Sequence, residues 1–123
     1  MRILVVEDDP KVAGFLEQGF REEQFEVDVA LDGEAALARA GASTYDLILL
    51  DFMLPRLTGP EVAAALRRDG NQTPILMLTA RDGAEDLQRA FAAGVNAYLT
   101  KPFRFGDLLR QVETLLADHL PPA

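Results

Sequence analysis

Cysteine is absent from the 123 residues, histidine occurs once, and 12 Lys and Arg face 20 Asp and Glu. Without thiols neither a disulfide framework nor a thiolate metal site can form, which is compatible with a cytoplasmic chain. The shortage of basic residues leaves a formal charge of −8. Phosphate backbones and anionic lipids are gripped by clustered Lys and Arg, so direct binding of nucleic acid or membrane by this domain is not expected. Long hydrophobic runs are missing too. The opening MRILVVEDD reaches acid after the short run Ile3 to Val6, far less than a signal peptide or membrane span needs. No internal repeat or low-complexity segment occurs. No GxGxxG, GxxxxGK[ST] or Ser/Thr-rich phosphate loop follows any of the apolar runs, which argues against a nucleotide or flavin binder.

What is present suits one domain with a real core, since 49% of the residues are apolar. The expected domain covers residues 1–117, and residues 118–123 form a tail or the start of a linker, because Pro121 and Pro122 block helix. Four short apolar runs stand out. Ile3 to Val6 ends in Glu7, Asp8 and Asp9; Leu47 to Leu50 ends in Asp51; PILMLTA closes on Thr79; Ala97 to Leu99 reaches Thr100, Lys101 and Pro102. Runs this short without alternation read as strands buried on both faces, as in a parallel sheet between helix layers. Phe25, Val27 and Val29 alternate with acids and predict an edge strand.

Helical spacing fills the gaps. Pro10 to about Glu23, capped by Asp9, carries Val12, Phe15, Leu16 and Phe20 at helical spacing; Gly14 and Gly19 each cost it about 1 kcal/mol against Ala. Asp32 and Gly33 open a helix over Ala35 to Ala40, and Val62, Ala63 and Leu66 mark another that stops near Asp69. Asp82 caps a helix with Leu87, Ala90 and Phe91 inward and Gly94 beyond its end. Phe105, Leu108, Leu109, Val112, Leu115 and Leu116 stripe the last helix. Five strands alternating with five helices predict a doubly wound α/β domain, a flavodoxin-like (βα)5 fold. Right-handed crossovers and short loops favour the parallel strand order 2-1-3-4-5.

That order makes the strands ending in Glu7/Asp8 and Asp51 neighbours at the topological switch point, where such sheets bind ligands. Three carboxylates brought together repel one another, and an oxygen-only set attracts a hard divalent cation, Mg²⁺ or Mn²⁺, over zinc. A cation, the lysine Lys101 and the hydroxyl of Thr79 on one rim make a cradle for a phosphoryl group, with Asp51 as nucleophile. Singly, each residue has a plainer reading: Glu7 and Asp8 as helix caps, Thr79 as a strand end bonding backbone, Lys101 as a solvated cation, Tyr98 as a core-edge aromatic, Met53 and Met77 as packing. A metal-dependent phosphatase or nuclease using Glu7, Asp8 and Asp51 is the alternative, although Met53 stands where a DxD pair would have its second acid.

The motifs VVEDD, LLDFMLPRLTG, LTA and YLTKPF, in this order and spacing, resemble receiver domains of bacterial two-component response regulators, and the resemblance spans essentially the whole chain. It implies Glu7 and Asp8 as the acidic metal pocket, Asp51 as phosphoacceptor and metal ligand, and Met53 as a metal ligand through its main-chain carbonyl. It further implies Thr79 as switch hydroxyl, Tyr98 as switch aromatic, Lys101 as the phosphate-contacting lysine, and a cis Lys101–Pro102 bond. The implied role is signalling: a sensor histidine kinase or phosphotransfer protein donates the phosphoryl group, and the domain catalyses only its own phosphorylation and dephosphorylation. An output domain, beyond Ala123 or in a partner protein, reads the change on the face of the fourth helix, fifth strand and fifth helix. The segment KPFRFGDLLRQVETLL looks closest to receivers joined to winged-helix DNA-binding domains, which pair charges across that face in an activated homodimer. Here the corresponding positions are Leu87, Asn96, Ala97, Asp107, Gln111 and Thr114, of which only Asp107 is charged. A weaker, less polar dimer or another partner is the expectation.

Overall fold

The computed structural model describes residues 1–80 and 83–119. Five strands, β1 (Arg2–Val6), β2 (Glu26–Ala30), β3 (Leu47–Asp51), β4 (Ile75–Thr79) and β5 (Ala97–Thr100), alternate with five helices. The helices are α1 (Pro10–Glu22), α2 (Gly33–Ala42), α3 (Gly59–Arg68), α4 (Ala84–Ala92) and α5 (Phe105–Asp118). All pairings are parallel, in the order β2-β1-β3-β4-β5, as the sequence predicts.

The two-residue period of the strands divides the core. Ile3, Val5, Leu47, Leu49, Leu76 and Leu78 pack with Leu16 and Phe20 of α1 and with Leu108 and Val112 of α5. Leu4, Val6, Ile48, Leu50, Ile75 and Met77 pack instead with Ala36, Val62, Leu66 and Ala90 of α2, α3 and α4. β3 is buried at every position, which accounts for its unbroken LILL run. Complete burial of a Leu or Ile stabilises by roughly 1.5–3 kcal/mol relative to exposure, so these central strands hold the rim of the sheet rigidly.

Local chemistry sets the helix starts. Asp9 accepts from the Lys11 N–H at 2.9 Å ahead of Pro10, and Asp32 accepts from the Ala35 N–H at 2.7 Å. Thr58 and Glu61 form a reciprocal capping box on α3. The Lys101–Pro102 bond is cis, as the resemblance implied. Among the described residues, no helix is long and apolar enough to cross a membrane.

Several expectations change. Phe91 is not an inward residue: it is 45% exposed, and Phe15 on α1 is 55% exposed. Phe15 lies on the outer side of Phe105, meeting it edge-on at 6.0 Å, and Phe91 meets Tyr98 edge-on at 5.9 Å. Helical spacing places both near the apolar stripe, but each stays at the surface with an aromatic ring of another element as its edge-on neighbour. α2 opens at Asp32 and Gly33 as expected and runs to Ala42, one residue past Gly41, near which the sequence predicts its end. The expected cap Asp82 lies outside the described residues, and Gly83 is the N-cap of α4. The prolines of the tail lie outside them as well.

Candidate functional site

Strand register builds the site. Val6 is level with Leu50 across the β1–β3 pair, so Glu7 and Asp51 leave the sheet side by side. Asp51 aligns with Leu78, which puts Thr79 one step further along the rim. Thr79 aligns with Thr100, and Lys101 follows directly, its N–H donating to the Thr79 carbonyl at 2.7 Å. Three parallel strands therefore deliver an acid, an acid and a hydroxyl to one edge, and the turn after β5 adds a cation.

The loop after β3 is held close to Asp51. The Phe52 N–H donates to Leu78 O and the Gly59 N–H to Phe52 O, both at 2.9 Å. A Cβ on Gly59 would stand 2.5 Å from the Asp51 carbonyl oxygen, so only glycine permits this approach. The Met53 N–H donates to Asp51 Oδ1 at 3.3 Å, while the Met53 side chain is exposed.

Glu7 and Asp51 are buried, at 3% and 5% exposure, and Asp8 is exposed. Lys101 Nζ lies 3.3 Å from Asp51 Oδ2 and 3.6 Å from Glu7 Oε2. That one cation does not complete the pocket. Glu7 Oε2 is buried without a hydrogen-bond partner. Burial, helped by the hydrogen bond and the negative charge of Asp51, pushes the Glu7 carboxyl up to about 8; Lys101 and the Asp9 N–H act in the opposite sense. Ligand oxygens of Glu7, Asp8 and Asp51 lie within 4.8 Å of one another. An all-oxygen set with an unsatisfied buried carboxylate oxygen fits a hard divalent cation, which would satisfy that oxygen and offset the repulsion.

The remaining sequence candidates divide into two groups. Thr79 is buried on the rim beside Asp51. Tyr98 lies further along, on β5, with its side chain 37% exposed. The sequence reading missed Arg56, which has a left-handed φ of 67° and pairs with Asp32 at 3.0 Å, fastening the loop after Asp51 to the start of α2. A hint was available, since LPRLTG demands a tight turn between Pro55 and Gly59.

A family model described as a response regulator receiver domain matches residues 3–113. The transcriptional regulatory protein PcoR of Escherichia coli is 44% identical over 115 residues, covering 94% of this chain and 51% of PcoR. TcrA of Mycobacterium tuberculosis, also named a transcriptional regulatory protein, is 44% identical over 94% of this chain and 46% of its own length. The chain thus spans about half the length of these curated relatives. Among solved structures, the receiver domain of Francisella response regulator 1452 superposes with a TM-score of 0.91 at 34% identity, covering 97% of this chain and 98% of that one. The Thermotoga maritima response regulator TrrA, solved in complex with Mg(2+)-BeF, gives 0.84 at 35% identity, covering 93% and 97%.

Proposed function

The chain belongs to the response regulator receiver domain family, and from that premise we propose that Asp51 is its phosphoacceptor, taking a phosphoryl group from the phosphohistidine of a sensor kinase or phosphotransfer protein. The observation that carries the assignment is the meeting of Glu7, Asp8 and Asp51 within 4.8 Å, with Lys101 3.3 Å from Asp51.

A carboxylate oxygen of Asp51 forms the new P–O bond as the P–N bond of the donor breaks, and the imidazole departs with the electron pair of that bond. Asp51 is fixed for this step by its strand and by the Met53 N–H. The Lys101 ammonium, already at the Asp51 carboxylate, neutralises a phosphoryl oxygen as charge develops there. Glu7, Asp8, Asp51 and the main-chain carbonyl of Met53 would hold Mg²⁺ or Mn²⁺. Such an ion, when bound, supplies positive charge to the phosphoryl oxygens. Thr79 accepts the phosphorylated state by bringing its hydroxyl to a phosphoryl oxygen. Hydrolysis later returns the carboxylate, so the domain acts on itself and turns over no external substrate.

The phosphorylated state is read out through Thr79 and Tyr98 on the α4, β5 and α5 face, and the reader is an output domain or a separate protein in the cytoplasm. The names of the relatives and their greater length favour transcriptional output over the hydrolase reading. A salt-bridged homodimer through this face is disfavoured, because Leu87, Ala97, Gln111 and Thr114 carry no charge.

Turnover tests the proposal. With Mg²⁺ and excess acetyl phosphate, a receiver takes up one phosphoryl group per chain and releases phosphate slowly. Rapid multiple turnover by the wild-type chain, with no phosphoryl group retained on Asp51, would instead establish the hydrolase.

A further inference from the structure

One half-buried cation has no part in this chemistry. Arg67, in the last turn of α3, uses all five of its N–H groups. Nε and Nη2 donate to Gly94 O at 3.1 and 2.8 Å, and Nη2 also donates to Asn96 Oδ1 at 2.9 Å. Nη1 donates to Asn71 O at 2.9 Å and Thr73 O at 2.8 Å. Asn96 Oδ1 accepts a second bond, from the Ile75 N–H at 2.8 Å, and the Asn96 N–H returns one to Ile75 O at 2.9 Å. Gly94 has φ +107°, and a Cβ there would lie 2.6 Å from Arg67 Cγ, so the guanidinium stem occupies the space a side chain would need. Burial depresses the Arg67 pKa, but a guanidinium keeps its charge and all its donors.

These bonds join the segment after α4 to α3 and to the start of β4. Along α4 itself the one buried residue is Ala90, near this same end. A helix fastened at one end and lightly packed along its length moves by turning about the fastened end.

We propose that Arg67 is a positioning residue for the output switch: its bonds to Gly94 and Asn96 make the C-terminal end of α4 a fixed pivot, so phosphorylation displaces the N-terminal half of α4 and not the whole helix. This rests on the reading of Asp51 as phosphoacceptor. The same bonds engage the amide oxygen of the exposed Asn96 with Arg67 and the Ile75 N–H.

Residue-resolved amide hydrogen exchange tests it, with Mg²⁺ and beryllofluoride as the phosphoryl mimic. In the wild-type chain, exchange over Ala84 to Gln88 should change by about tenfold or more, and over Gly94 to Asn96 by less than about twofold. Arg67→Lys keeps the charge and loses the fork. It should lower protection at Gly94 and Asn96 about tenfold without the mimic, extend the response through Ala93 to Asn96 with it, and leave phosphoryl uptake on Asp51 within about twofold of wild type. Equal responses at the two ends of wild-type α4, with uptake on Asp51 intact, would overturn the pivot alone. So would an Arg67→Lys exchange pattern identical to wild type. Loss of both uptake and response in the wild-type chain would overturn the phosphoacceptor reading and the pivot with it. The wild-type comparison stands even if the variant does not fold.

Discussion

Glu7 offers the most quantitative handle on the site. Its carboxyl is 3% exposed, one oxygen is unsatisfied, and its pKa is pushed up to about 8 from an ordinary 4.5. The folded state therefore holds this proton more tightly than the unfolded state does. Stability from this group is full below pH 4.5, falls as the unfolded chain ionises, and reaches its floor once pH passes about 8. One pKa unit corresponds to about 1.4 kcal/mol, so at pH 7 the metal-free domain should lie on the order of 3 kcal/mol below its acid-side stability on this account. Glu7→Gln removes the ionisation and keeps the shape. In EDTA, urea unfolding of variant and wild type between pH 5 and 8 should give a stability difference that grows in the variant's favour with pH, on the order of 3 kcal/mol over the window. Mg²⁺ should reverse the order, because it binds the ionised wild-type carboxylate and finds no charge in the variant. A difference that stays flat from pH 5 to 8, or one that shrinks, would refute the assignment of the proton to Glu7.

Other residues give sharper single outcomes. Asp8→Ala should weaken Mg²⁺ binding at least about tenfold by calorimetric titration, whereas Lys101→Ala should leave it unchanged or tighter, since a cation near the pocket repels the ion. Gly59→Ala forces a Cβ against the Asp51 carbonyl, 2.5 Å away, and should cost about 2 kcal/mol in urea denaturation as well as displacing the loop after β3. The two glycines of α1 should part company. Gly14 has nothing within 4 Å of a would-be Cβ, so Gly14→Ala should stabilise by about 0.5–1 kcal/mol; Gly19 would meet the Phe105 ring at 2.5 Å, so Gly19→Ala should be net destabilising by about 1 kcal/mol.

Legibility in the sequence followed the range of the interaction involved. The β3 segment LILLD and the apolar runs of β1 and β4 announce a doubly covered sheet because every position in them is buried. Once strand order follows from handed crossovers, parallel register alone brings Glu7, Asp51, Thr79 and Lys101 to one rim. What stayed hidden depends on side chains meeting across elements. Phe15 and Phe91 satisfy helical spacing as well as Leu16 and Ala90 do, yet both remain exposed against the rings of Phe105 and Tyr98. Gly19 leaves room for the ring of Phe105 on the distant α5, a contact that no local pattern carries. Arg67 sits among charged residues at a helix end, where a solvated cation is the ordinary expectation. Its five bonds reach carbonyls that no periodicity could locate.

The central claim is that Asp51 takes up one phosphoryl group in a site completed by a divalent cation. Intact-mass spectrometry after incubation with acetyl phosphate tests it most directly, comparing the wild-type chain in Mg²⁺, the same chain in EDTA, and Asp51→Asn in Mg²⁺. The account predicts a single phosphoryl adduct in the first sample and none in the other two. Undiminished labelling of Asp51→Asn, or labelling of the wild type that ignores EDTA, would contradict it.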